Sequence, residues 1–219
     1  LDFFLSARAQ EILGHYYYVK SDTKKALHHL HLADSLYSLT TAYEYRIYNL
    51  DMLGTMYLLN NNLTDGLITL TRADRILGEY LPADSALHID LHIDIGLVYF
   101  RLRKYEKAKK YYDALLKYTL SQEQEAQTLN NLAIIAIEEN EYKQAATYLA
   151  KARELYLQIG DENDLARIYS NLGSALEHLD FPEDTVVSCY AKSISLRTEL
   201  QDSVGIIAPL LNLAGFYLK

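Results

Sequence analysis

Histidine and cysteine are the side chains best suited to holding a metal ion or attacking a bond, and this chain has seven of the first and one of the second. His88 and His92 stand four residues apart and so share one side of a helix, the way a helix presents two imidazoles to zinc. In the zinc-protease motif a glutamate follows the first histidine directly, whereas here Ile89 does. No third ligand is evident, so no metal and no cofactor is expected, and the pair reads as packed or solvated imidazole. His28, His29 and His31 form a second cluster and read the same way. Cys189 lies on the apolar side of a helical pattern with no nucleophile motif around it; burial is its expected reason, and a single cysteine makes no intramolecular disulfide. Asp90, Asp94, Glu138, Glu139, Glu141 and Glu177 show no recognisable partner arrangement and read mostly as a solvated face. With no phosphate-cradling glycine loop, no Ser/His/Asp motif and no Cys/His pair at a usable spacing, no enzyme is expected.

The elements that must carry these residues repeat. Leu129, Leu132, Ala133 and Ala136, followed by Ala145, Leu149 and Ala152, give the inner face of one helix and the facing stripe of a second. The same spacing recurs in Gln10/Leu13/Gly14/Tyr17 with Ala26/Leu30/Ala33, in Leu50/Leu53/Gly54/Tyr57 with Gly66/Leu70/Ala73, and in His92/Ile95/Gly96/Tyr99 with Ala108/Tyr112/Leu115. It returns in Tyr169/Leu172/Gly173/Leu176 with Val186/Tyr190/Ser193, which needs one extra turn residue, and in Leu210/Leu213/Ala214/Tyr217. The small residue in each frame belongs where two antiparallel helices approach, because Gly or Ala there lets the backbones come close. One helix pair cannot bury its apolar face alone, so the pairs are expected to stack into a continuous core. Many of the twenty tyrosines, among them Tyr57, Tyr99, Tyr112 and Tyr217, coincide with these core positions.

The frames resemble the tetratricopeptide repeat, W-x2-L-G-x2-Y followed by A-x3-F, although the chain contains no Trp. Their step of about 40 residues exceeds the roughly 34 of the standard repeat, and the surplus is expected in longer helices. Repeats of this length are similar to those of the spindle-orientation adaptor LGN, kinesin light chains, Rap-type bacterial peptide-sensing regulators, and the sensor regions of bacterial hybrid kinases and transcription regulators. The resemblance implies an all-α fold, a right-handed superhelix (α-solenoid) of five helix pairs and a partial sixth, forming one domain over residues 1–219. It also implies a protein- or peptide-binding scaffold in a signalling or regulatory protein. The rival expectations are a structural self-assembly module, homodimeric through the stretch Ala208 to Lys219, and a metal or enzymatic protein built on the histidines. The start at Leu1 and the stop inside a sixth repeat lead us to expect a fragment of a larger protein.

Local signals place the boundaries. Helices are predicted near 3–19 and 23–38, 41–59 and 63–77, and 85–102 and 105–118. Ser21-Asp22-Thr23 supplies cap acceptors, Asn60-Asn61-Asn62 a turn, Gly78 a stop, and Pro82 with Asp84-Ser85 a fresh start. Ser121 with Gln124 reads as a capping box for the fourth pair, which turns at 139–141 and stops at Gly160. The fifth opens at Asp161 and turns at 180–183, and Asp202-Ser203 opens the last helix with Pro209 in its first turns.

A net charge of −8 argues against a nucleic-acid surface and favours a neutral or basic partner. No apolar run reaches the roughly 18 residues that span a bilayer, so no membrane insertion by this segment is expected. In the tetratricopeptide frame, the residues two before and one after the small residue face the concave groove. The former are Asn131, Asn171 and Asn212 in three successive frames, and Ile12, Met52 and Asp94 in the others. A carboxamide offers one acceptor and two donors, and can therefore bond the C=O and N–H of an extended peptide whatever its side chains. The resemblance makes the three asparagines the candidate ladder, with Asp94, Arg101, Arg167 and His178 as specificity contacts and Glu138 and Glu177 favouring a basic ligand residue.

Overall fold

The computed structural model describes residues 2–83 and 85–218, and Asp84, expected to help open the third pair, lies outside them, as does the side chain of Ser85. The described residues form eleven α-helices and no strand: α1 Phe3–Val19, α2 Thr23–Tyr37, α3 Tyr43–Leu59, α4 Leu63–Tyr80, α5 Ser85–Arg101, α6 Tyr105–Leu115, α7 Gln122–Glu138, α8 Tyr142–Ile159, α9 Glu162–Glu177, α10 Glu183–Glu199 and α11 Ile207–Tyr217. They fall into two compact units, residues 1–118 with three helix pairs and residues 119–219 with two pairs and α11.

Within each pair the notch left by the small residue is filled by one side chain of the second helix. An added Cβ would stand 2.7 Å from Leu30 Cγ at Gly14, 2.5 Å from Leu70 Cγ at Gly54, and 2.7 Å from a Cε1 of Tyr112 at Gly96 and of Tyr190 at Gly173. The filler is the middle residue of each facing stripe. Those four fillers have essentially no solvent exposure. Gly78 is different: nothing lies within 4 Å of its added Cβ. Instead of stopping there as expected, α4 continues to Tyr80 and is capped by the Leu81 N–H on Leu77 O, one residue before Pro82, which disfavours helix in the residue preceding it.

Each hairpin turn places a residue in the left-handed region seven positions after the small residue, namely Ser21, Asn61, Arg103, Asn140 and Asp180, with φ between 53° and 61°. In all five of these turns the next N–H reaches back to the carbonyl five residues earlier in the Schellman manner, as in Asn62 to Tyr57 at 2.8 Å and Glu141 to Ala136 at 2.7 Å. The capping box forms in both directions, Gln124 N donating to Ser121 Oγ and Ser121 N to Gln124 Oε1. At the other end α11 begins at Ile207, not at 203, because Asp202 Oδ1 accepts from Gly205 N at 2.8 Å and holds 203–206 as a separate turn. Tyr217, expected in a core, is 59% exposed, since no second helix covers this side of α11 among the described residues.

Successive pairs are tied by polar as well as apolar contacts. In residues 1–118, Asp34 of α2 is almost buried and accepts from Arg46 Nε of α3 at 3.0 Å and from Arg72 Nη2 of α4 at 2.7 Å. A carboxylate so placed needs both guanidinium groups, for an unpaired charge there would carry its full desolvation cost. In residues 119–219 one apolar cluster runs from Ala126 to Tyr190, with Leu213 and Phe216 of α11 packed on it.

Candidate functional site

The long first helices of the first two pairs place their polar positions along one cavity. About 420 Å³ of half-open space is lined by Glu11, His15 and Tyr18 of α1 and by Tyr48, Asn49, Asp51, Met52, Thr55 and Met56 of α3. Met52 stands two before its small residue, and His15 and Thr55 stand one after theirs, so the wall is made by the side of each helix that faces away from its partner. The cavity is rich in acceptors that lack donors. Asp51 Oδ1 and Asn49 Oδ1 are both buried with no hydrogen-bond partner, while Asn49 Nδ2 is fixed to Leu30 O at 3.0 Å. Thr55 Oγ1 donates to Asp94 Oδ2 at 2.7 Å, bringing the third pair into contact with this wall. Burial, with Asp94 and Asp90 adding repulsion, pushes the Asp51 carboxyl up to about 7. Burial raises Asp94 as well, against the Thr55 hydrogen bond that lowers it. Asp94 is therefore part of a half-buried acidic set, not of the solvated face expected for it.

The other sequence-derived residues are distributed over several environments. Arg101 Nη1 donates to Leu58 O at 2.8 Å and Nη2 to Asn61 Oδ1 at 3.0 Å, so its guanidinium closes the end of α3. Arg167 pairs with Asp164 at 2.9 Å, one turn away on α9. Asn131 and Asn171 are half-buried and Asn212 is exposed. Asn171 Nδ2 donates to Oδ1 of the buried Asn130 at 3.0 Å, leaving that amide with one donor already used. Glu177, His178 and Asn212 do meet, around a depression of about 250 Å³ that also involves Ser174, Tyr190, Leu211 and Gly215. There Tyr190 donates to Glu177 at 3.1 Å, and His178 stacks on Tyr142 with ring centroids 4.2 Å apart. Glu138 is exposed at the last position of α7.

One expectation about chemistry changes. The carboxylate missing from the His88/His92 pair comes from the preceding helix: Asp74 of α4 and the two histidines offer ligand atoms all within 4.8 Å of one another. Sequence spacing could not show it, because α4 and α5 are brought together by packing. His28 and His29 touch edge to face with ring centroids 5.3 Å apart, His29 also meets Gln10 and Tyr17, and His31 reaches the Tyr57 hydroxyl. Cys189 is buried, as expected, and burial raises its thiol. Ile12 and Met52 hold the groove position in the first two frames, so no asparagine there marks the cavity between α1 and α3. The signal available was the acid one place earlier in two successive frames, Glu11 and Asp51.

Residues 85–158 match the tetratricopeptide repeat model. Among solved structures the chain is similar to BtubC (BKLC) from P. vanneervenii, at 17% identity over 88% of this chain and 80% of that one with a TM-score of 0.77. A putative kinesin light chain from Podosopora anserina aligns at 14% identity over 90% and 96% of the two chains with a TM-score of 0.71. A Rap protein complexed with Competence and Sporulation Factor aligns at 14% identity over 99% of this chain and 64% of its own length with a TM-score of 0.73. At these identities the likeness establishes the fold. No curated protein sequence matches the chain significantly. No helix among the described residues is long and apolar enough to cross a membrane.

Proposed function

From the premise that this is a protein of tetratricopeptide repeats, we propose that it is a scaffold which binds an extended protein or peptide segment, and that a basic side chain of that segment enters the cavity between α1 and α3. The observation that carries the reading is the pair of buried acceptors without donors, Asp51 Oδ1 and Asn49 Oδ1; Glu11 of the same wall already has Arg8 and Tyr37 as partners. An ammonium or guanidinium is donor-only and positive, and it is the group such a wall lacks. Tyr18 and Tyr48 line the same wall, and a cation over the face of either ring would gain a further attraction. The net charge of −8 favours the same ligand at long range. A Rap protein of this fold has been crystallised in complex with Competence and Sporulation Factor, which supports a binding role.

On residues 119–219 the proposed contacts are Asn131, Asn171 and Asn212, which would hold ligand backbone, with Glu177 and His178 beside Asn212. Selection of random peptides on the full chain tests the reading. Enriched sequences should share a Lys or Arg at a fixed position, and Asp51→Asn with Asp94→Asn should abolish that preference. For selected peptides that contact residues 119–219, Asn131→Ala with Asn171→Ala should weaken binding by about 1–3 kcal/mol. Enrichment without a basic residue, or binding indifferent to both double variants, would place the ligand elsewhere.

A further inference from the structure

The geometry points to a metal site outside that cavity, in which Asp74 of α4 and His88 and His92 of α5 bind a divalent transition ion of the zinc class and staple the second helix pair to the third. His92 Nε2 already lies 3.3 Å from Asp74 Oδ1. Donor atoms about 2.0 Å from a tetrahedral ion stand roughly 3.3 Å apart, so this pair already has the spacing that an ion imposes, and the His88 ligand atom lies within 4.8 Å of both. His88 and His92 are one turn apart on one helix and Asp74 belongs to the neighbouring one, so the ion would bridge α4 and α5. Two nitrogens and one carboxylate oxygen suit zinc, nickel or cobalt and leave a coordination position for water.

The repeat itself supplies the comparison. Asp34 and Asp74 both fall twenty residues after their small residue, and Arg46 and His88 both fall eight before theirs. Where the first pair meets the second, the gap between the two positions is closed by a cation built into the chain, with Arg46 on Asp34 at 3.0 Å. Where the second meets the third, the arginine is replaced by a histidine. His92 also stands where the neighbouring frames have Leu50 and Leu129, so a buried apolar contact has been given up at the same place. His88 Nδ1 and His92 Nδ1 are both buried with no hydrogen-bond partner, which leaves the imidazoles short of partners in the protein alone. Tyr111 and Tyr118 stack or edge onto the two rings and narrow the access of water.

The test uses the full chain stripped with chelator and titrated with zinc, or with cobalt as a visible-absorption probe. One equivalent should bind, cobalt should develop d–d bands in the visible, and the melting temperature should rise with the ion present. Asp74→Asn and His88→Gln should each weaken binding by at least about tenfold, while changing His28, His29 and His31 together should not. His88→Arg, which copies the first interface, should keep the chain folded and remove the response to zinc. The absence of saturable one-equivalent binding would overturn the proposal. So would binding that survives both Asp74→Asn and His88→Gln, or one that is lost with His28, His29 and His31.

Discussion

Asp51 holds its proton because the folded chain gives its carboxylate no donor and two acidic neighbours. Its folded value of about 7 lies above the ordinary 3.8 of an aspartate. The unfolded chain therefore releases this proton near pH 4, whereas the folded chain keeps it until about pH 7, and the folded state alone bears the cost of ionising it. Stability attributable to Asp51 is thus unchanged below about pH 4, falls between pH 4 and 7, and stays low above. Asp51→Asn should raise the melting temperature at pH 8 and leave it unchanged at pH 3.5. An equal effect at both values would show that the carboxyl is solvated. The same residue-scale view explains why the cavity was hidden. Nothing in an isolated aspartate distinguishes one that faces water from one that faces Asp94 across a helix gap; that difference arises from the approach of α3 to α5.

At the scale of the helix pair, the sequence was far more legible, because the repeat ties each residue to a defined neighbour. Small residue, filler and turn appear at constant offsets, and the structure adds that the filler is the central residue of the opposing stripe. Two glycines in neighbouring helices then respond in opposite ways to one added methyl group. Gly96→Ala forces its Cβ against the Tyr112 ring, with 2.7 Å to Cε1, and should cost about 1–3 kcal/mol. Gly78→Ala meets nothing within 4 Å inside α4 and should stabilise by about 0.5–1 kcal/mol. Urea denaturation of both variants decides it; a stable Gly96→Ala would mean that the ring fills no notch there. What the frames could not disclose was any polar contact between pairs. Asp34 with Arg46 and Arg72, and Asp74 with His88 and His92, come from helices whose proximity no local spacing encodes.

For the molecule as a whole, the division at residues 118 and 119 separates two bodies with their own apolar clusters. Distant substitutions within such an arrangement should act independently. Gly14→Ala and Gly173→Ala, placed in different units, should have costs that add to within about 0.5 kcal/mol when combined. A larger coupling would mean that the two notches are linked through shared contacts or backbone shifts. Composition and charge spoke at this scale only about partners, in disfavouring nucleic acid. Within each unit, helices pack substantially only on those one or two places along the chain. The fold is therefore assembled almost wholly from near neighbours in sequence, and little chain entropy is spent closing long loops before a contact forms. Each hairpin can settle on the one before it as the chain leaves the ribosome, so the first unit can finish folding while the second is still being translated.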